Sequence, residues 1–153
     1  MSTMDERMDA YERTARQMID EHGWMLQGVF PTQAEPGPDF VYTVGLTKWN
    51  WHPEIIVFGL PHRVGGNLLN QLGAQVRDGR RYAAGEVLDD LLVDYPAHLV
   101  AVADTAEHFG MARRLYGPDI TALQLVWPDQ DGRFPWEQGF ALADLEPLLG
   151  LPT

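Results

Sequence analysis

The stretch DFVYTVGLTKWNWHPEIIVFGLP, residues 39–61, decides the fold. Apolar side chains alternate with other side chains over residues 40–46, and this period of two predicts a strand with one face in the core. Residues 55–60, IIVFGL, are apolar at nearly every position, which predicts a second strand that is covered on both faces. The connector KWNWHP, residues 48–53, therefore places two tryptophans and a histidine at the end that the two strands share.

Upstream of this stretch the sequence predicts a helix, a strand and a loop. The capping-box pattern of Thr3 and Glu6, followed by apolar residues at helical spacing, predicts a helix over residues 4–22. Residues 24–30 alternate as a strand does. Residues 31–38 contain three prolines, which a central strand does not accommodate, and are expected to form a loop.

Downstream, Pro61 suits the first turn of a helix because its missing N–H has no partner there. An apolar stripe predicts that this helix continues to Gly79. Residues 81–92 are ambiguous. The pattern after them predicts strands at residues 99–103 and 121–127 and a helix at residues 104–116 that Asp104 caps. A turn at residues 128–132 and a short helix at residues 142–149 follow.

These elements predict an α+β fold, with a mainly antiparallel sheet that could close into a barrel and three or four flanking helices. A chain of 153 residues has the length of one ordinary domain. No repeat or long linker divides it, so we expect a single domain over residues 1–153, with an ordered core over residues 4–149.

Composition excludes several classes of protein. Eleven basic and 22 acidic side chains give a formal charge of −11, which opposes binding to nucleic acid and to anionic membranes. The lack of cysteine excludes disulfides, thiolate metal sites and cysteine nucleophiles. The only serine is Ser2, which excludes serine-hydrolase chemistry. With no apolar leader and no run long enough to span a membrane, we expect a soluble cytoplasmic protein.

Four segments in order resemble a bacterial family known as domain of unknown function 4262. They are YTVGL, HPEIIVFGLP, ALQLVWPD and GRFPWE, at residues 42–46, 52–61, 122–129 and 132–137. The resemblance extends over nearly the whole chain, from the first helix to Glu137. It implies a compact bacterial domain, often a stand-alone protein, and carries over no catalytic residue.

The order of a strand ending in T-V-G-L, a loop with His-Pro and an apolar strand is also similar to flavin-binding split barrels. Those domains hold the flavin phosphate through basic and hydroxyl side chains and backbone amides. The similarity implies a flavin site here at Thr43, Thr47, Lys48, His62 and Arg63, although the sequence contains no matching phosphate motif.

Histidine is the residue type here that could bind a metal together with a carboxylate. The five histidines lack H-x-H and H-E-x-x-H spacing. His52 and Glu54 could share a strand face, but His52 and His62 flank six strand residues that span roughly 20 Å. We therefore predict no metal ligand, while a metal-dependent enzyme remains an alternative.

Two features indicate a binding surface. His62 and Arg63 begin a helix, where backbone N–H groups can converge on an anion, although the glycines after them could instead serve close packing on the sheet. Trp49 and Trp51 lie in a loop, and loop tryptophans are typical of binding surfaces, although both could pack as a satellite core.

We predict a binding or accessory protein that engages a small molecule or a protein partner through the aromatic loop at residues 49–52 and through residues 132–137. Arg133 could stack on a tryptophan or bind a carboxylate. The alternative is a small metal- or flavin-dependent enzyme that uses His52 or His62, and a homo-oligomer is a third possibility. The cofactor and any catalytic residue are left unassigned. The predicted ligand-binding residues are Trp49, Trp51, His52, His62, Arg63, Arg133 and Trp136.

Overall fold

The structure is a computed structural model that describes residues 3–152, so Ser2 and the outermost positions of the predicted domain lie outside the described residues. Residues Leu46–Lys48 form a short 3-10 helix, in addition to the longer elements given below. None of the helices in the described range has an apolar stretch that could cross a membrane. The helices and strands are α1 Met4–His22, β1 Met25–Val29, β2 Phe40–Val44, β3 Glu54–Phe58, α2 His62–Arg77, β4 Val87–Leu88, β5 Ala97–Ala101, α3 Gly110–Tyr116 and β6 Ala122–Val126.

The strands form one six-stranded sheet in the order β1-β2-β3-β6-β5-β4. The central pair β3 and β6 is parallel, and the other four pairs are antiparallel. The α+β class, the mainly antiparallel sheet and the flanking helices are confirmed. The sheet does not close into a barrel, because β1 and β4 remain at its two edges.

Helices cover both faces of the sheet. α2 packs on one face, where Leu69 and Leu72 join Val57 in the core. α1 and α3 pack on the other face, where Ile19 and Ala112 join core residues of the central strands. This cover explains why β3 is buried at every position, as its apolar run predicts. Cover on both faces also buries the apolar surface without a closed barrel.

Two predicted elements are shifted along the chain. The strand expected at residues 99–103 is β5, which begins two residues earlier. α3 begins only at Gly110. Asp104 Oδ1 does accept a hydrogen bond from the backbone N–H of Ala106 at 2.9 Å, but this bond closes a separate turn before the helix. Within the ambiguous segment, the strand is β4 at Val87–Leu88.

The predicted helix at residues 142–149 is wrong. These residues form turns and then an irregular segment beside β6. The Gln124 side chain donates to the carbonyl of Pro147 at 2.7 Å and accepts from the N–H of Leu149 at 2.8 Å. The buried Gln124 side chain thus binds backbone groups of this segment, in place of hydrogen bonds within a helix.

Candidate functional site

A cleft with a volume of about 780 Å³ lies on the sheet face that α1 and α3 cover. Its walls come from α1, the strands β1 to β3, the proline loop at residues 31–38 and the start of α3. The residues that define the cleft are Met8, Tyr11, Gln27, Val29, Phe30, Pro31, residues 35–38, Phe40, Tyr42, Phe58, Glu107, His108, Gly110, Met111, Arg114 and Pro147.

Three rings form a continuous aromatic wall in the cleft. Phe40 of β2 lies opposite Phe58 of β3 in the strand register, and their ring centroids are 5.0 Å apart. The His108 ring stands edge-on to both, at 5.3 Å from Phe40 and 5.4 Å from Phe58. Edge-to-face rings at this spacing attract one another, so the wall is fixed before any ligand arrives.

Tyr42 is a buried residue of the cleft lining, and its hydroxyl group contacts the start of α3. Its oxygen accepts a hydrogen bond from the N–H of Met111 at 3.0 Å. No acceptor among the described residues receives its proton. Burial raises the pKa of Tyr42 to about 12, so the hydroxyl stays protonated at neutral pH. It can therefore donate a hydrogen bond to a bound molecule.

His108 supplies a second polar group. Burial lowers the pKa of His108 below its ordinary value of 6.5, although the nearby carboxylate of Glu107 opposes that shift. The ring is therefore mostly neutral at pH 7, and a neutral imidazole has one nitrogen that donates and one that accepts. Within residues 3–152, neither nitrogen is hydrogen-bonded to a protein group.

Three charged residues of the lining form the rim of the cleft. They are Glu35, Glu107 and Arg114. The Arg114 guanidinium lies 3.0 Å from an oxygen of Asp9 and 2.8 Å from an oxygen of Glu12. Two carboxylates of α1 therefore occupy the only cation of the rim.

The segment at residues 43–47, which leads into the aromatic loop at residues 49–52, is held in place by Glu54, which is fully buried. Burial raises the pKa of Glu54 above its usual range. The ionised form nevertheless fits this site, because three of the five donors are backbone N–H groups that can only donate. The donors are the hydroxyls of Thr43 and Thr47, at 2.8 and 2.7 Å, and the N–H groups of Gly45, Leu46 and Thr47, each at 3.1 Å.

Two of the predicted binding residues in the loop serve the fold. His52 Nε2 accepts from the N–H of Tyr82 at 2.9 Å, so Nδ1 carries the proton and donates to the carbonyl of Pro53 at 2.7 Å. Trp49 is half-buried, and its indole N–H donates to the carbonyl of Gly23 at 2.9 Å. A ligand at either side chain would have to displace one of these partners.

Trp51 is the member of the loop that faces solvent, with 61% of its surface exposed. Its φ of 57° lies in the left-handed region, which bulky side chains seldom adopt. Arg81 donates to the carbonyl of the preceding residue, Asn50, at 2.9 Å and supports this conformation.

His62 and Arg63 lie beyond the other end of β3. The His62 ring stacks on Phe30 at the mouth of the cleft, with centroids 4.0 Å apart. Its Nε2 lies 3.8 Å from Asp39 Oδ2 and makes no hydrogen bond. Arg63 is exposed beside it.

Arg133 and Trp136 lie in a third region, in the segment that follows β6. The Trp136 ring stacks on Phe134 at 5.0 Å and meets His98 of β5 edge-on at 5.1 Å. Arg133 lies 3.2 Å from an oxygen of Asp131. The fold therefore distributes the seven predicted residues over three places and brings only His62 to the cleft, through its stacking on Phe30.

Sequence reasoning missed Tyr42 and His108. Tyr42 occupies an alternating strand position, which indicates core, and His108 has no motif around it. The one signal was the concentration of aromatic residues on the strands that flank the proline loop. In the described part of the chain, no group of three or more His, Asp or Glu side chains could hold a metal ion.

A family model described as "Domain of unknown function (DUF4262)" matches residues 18–141. That range contains all six strands and most of the cleft, but not Met8, Tyr11 or Pro147. Neither a curated protein nor a solved structure matches the chain.

Proposed function

The chain belongs to the DUF4262 family, whose description names no activity, and we propose that the protein binds a small, largely apolar molecule in the cleft. The observation that carries the proposal is an aromatic cleft of about 780 Å³ with a buried tyrosine hydroxyl whose proton has no acceptor among the described residues. Ligand sites typically have volumes of roughly 300–1,000 Å³ and a few polar groups in an apolar lining.

The lining supports binding more than catalysis. Covalent catalysis needs a nucleophile in contact with a base, and no such pair lines the cleft within the described residues. The predicted alternative, a metal- or flavin-dependent enzyme using His52 or His62, has less support because both nitrogens of His52 are engaged in the fold. Flavin absorbance and elemental analysis of the purified protein test that alternative directly. The cytoplasm remains the predicted compartment.

Screening small aromatic compounds by NMR tests the proposed function. We expect binders to shift the resonances of Tyr42 and His108. Tyr11 and Phe30 are 46% and 65% exposed, so alanine at either position removes contact area without removing core. Each alanine variant should weaken binding by about tenfold, the equivalent of about 1.4 kcal/mol.

Trp51→Ala is the matched control, because it truncates an exposed aromatic side chain outside the cleft. It should leave the affinity of every cleft binder unchanged. The proposal is wrong if no compound shifts cleft resonances, or if Phe30→Ala binds the compounds as well as the wild type does.

The exposed Trp51 favours a second candidate function, the docking of a protein partner at the aromatic loop. An exposed tryptophan held in a strained backbone conformation is typical of functional surfaces. A photo-reactive amino acid at position 51 should give a discrete adduct in the native host. The same substitution at Val93, which is 85% exposed, is the control and should give none.

The mass of the adduct distinguishes the partners. An adduct of twice the chain mass identifies a second copy and hence a homo-oligomer, and any other discrete mass identifies a different protein. The absence of an adduct at position 51, or equal labelling at position 93, would remove this second function.

A further inference from the structure

We propose that the cleft selects a cationic ligand, namely a quaternary ammonium or protonated amine attached to a small aromatic group. The inference rests on the proposed function, because it names the charge of the molecule that the same cleft binds. It follows from the charges at the rim, the aromatic lining and the restrained backbone that carries one rim carboxylate.

The rim is negative once its contacts are considered. Arg114 already faces the carboxylates of Asp9 and Glu12 at 3.0 and 2.8 Å. Glu35 and Glu107 are exposed and take part in none of the ion pairs among the described residues. The protein as a whole carries a formal charge of −11, which adds to the field that a cation would enter.

The aromatic lining provides the matching chemistry. A cation is attracted to the face of an aromatic ring by about 0.5–2 kcal/mol, depending on how far it is removed from water. Phe30 is stacked on His62 by one face and is one of the residues that line the cleft. Tyr11 lines the cleft from α1, where its hydroxyl donates to Gln27 Oε1 at 2.8 Å. This bond fixes the tyrosine ring in place.

The backbone of Glu35 is held in position before a ligand binds. Its backbone N–H donates to Thr32 Oγ1 at 2.9 Å, and its carbonyl accepts from the N–H of Thr32 at 3.0 Å. Prolines at positions 31, 36 and 38 further restrict the loop. A restricted loop loses less conformational entropy on binding, so a ligand that interacts with Glu35 gains affinity.

An anionic ligand would be rejected by the same arrangement. It would meet two carboxylates at the rim and a guanidinium that already has two carboxylate partners. The His108 ring is mostly neutral at pH 7, because burial lowers the pKa of His108, and so it offers little positive charge. Selection between charges therefore has both an attractive and a repulsive component.

Three phenols of similar shape test the inference. They carry a trimethylammonio group, a tert-butyl group or a sulfonate group opposite the hydroxyl, and so differ mainly in charge. NMR titration should show the trimethylammonio compound binding about tenfold more tightly than 4-tert-butylphenol. The sulfonate should not bind.

Charge-removing variants then locate the selectivity. Glu35→Gln combined with Glu107→Gln should reduce the preference for the cation to about threefold or less. Both residues are exposed, so the variant should unfold at the same urea concentration as the wild type. Asp78→Asn, at an exposed carboxylate after α2, is the control and should keep the full preference.

The outcomes separate the two proposals. Equal binding of the cation and 4-tert-butylphenol, or tighter binding of the sulfonate, overturns the charge inference and leaves the cleft a binding site. A preference that survives loss of both glutamates also overturns it. If none of the three phenols shifts the cleft resonances, the charge inference is wrong, and the compound screen decides separately on the proposed function.

Discussion

The aromatic loop and the cleft differ in how their polar groups are used. In the loop and the start of β3 beside it, the fold itself engages both nitrogens of His52, the indole N–H of Trp49 and the Glu54 carboxylate. Across the described residues, the buried side-chain polar atoms without a partner are His62 Nε2 and Glu146 Oε2. His62 stacks on Phe30, a residue of the cleft, whereas Glu146 lies in the C-terminal segment, where its other oxygen accepts a hydrogen bond from the N–H of Trp127.

This difference shows that a conspicuous polar motif can stabilise the fold instead of binding a ligand. The connector KWNWHP and Glu54 attract attention in the sequence because they combine tryptophans, a histidine and a carboxylate. The structure uses most of these groups to hold the chain after β2 against β3. Groups that remain available for a ligand lie among aromatic strand residues that the sequence indicates as core.

The largest expected effect is the loss of Glu54. Glu54→Ala leaves five donors without their acceptor, and each buried unsatisfied donor costs about 1–3 kcal/mol before the structure relaxes. We expect the free energy of unfolding, measured with urea, to fall by about 4 kcal/mol. Glu35→Ala at the cleft rim should change it by less than about 0.5 kcal/mol. A loss below about 1 kcal/mol in Glu54→Ala would show that Glu54 does not hold residues 43–47 in place.

A smaller effect, dependent on pH, is expected at Glu146 in the C-terminal segment. Its Oε1 accepts from the N–H of Trp127 at 2.9 Å, Oε2 has no partner, and burial raises the pKa of Glu146 from 4.5 to about 8. Because the folded state binds this proton more tightly than the unfolded chain, the contribution to stability is full below pH 4.5. It decreases as the pH rises and is lost above about pH 8.

Glu146→Gln tests this titration, because the amide keeps an acceptor for Trp127 and cannot ionise. The variant should be more stable than the wild type at pH 8.5, by a few kcal/mol at most, and the two should differ least below pH 4.5. Urea unfolding over this pH range measures the difference. If the wild type and the variant show the same pH dependence, Glu146 does not titrate in the folded state.

The smallest expected effect is at Trp51. Glycine adopts the left-handed conformation without strain, so Trp51→Gly should be more stable than Trp51→Ala by about 0.5–1 kcal/mol. Urea unfolding of both variants measures this, and both should bind cleft ligands as the wild type does. If alanine proved the more stable substitution, the left-handed conformation at position 51 would not be strained.

The sequence predicted the regular part of the fold well. α1, α2, β2 and β3 lie where their apolar periods and capping signals place them. α3 and the C-terminal segment were predicted poorly, because their conformation depends on partners far along the chain. Gln124 holds residues 147 and 149 through hydrogen bonds that no local pattern indicates.

The candidate site was predicted less well than the fold. Of the seven residues proposed from the sequence, only His62 adjoins the cleft, through Phe30. Trp49 and His52 were predicted as binding residues because they combine aromatic and polar character in a loop. The sequence does not show that the carbonyl of Gly23 and the N–H of Tyr82 bind their polar atoms. For Tyr42 the only sequence signal was the concentration of aromatic residues on the strands that flank the proline loop, and His108 carried none beyond its residue type.

The sequence by itself determined the family, the α+β class and the strongly amphipathic elements, because these depend on residue order over short distances. Only the tertiary structure decided where the cleft lies and which polar groups remain free in it. The Tyr42 hydroxyl meets the N–H of Met111 across 69 residues, and α1, the proline loop and α3 converge on one face of the sheet. Such a site depends on which segments pack together, and packing is a property of the whole fold.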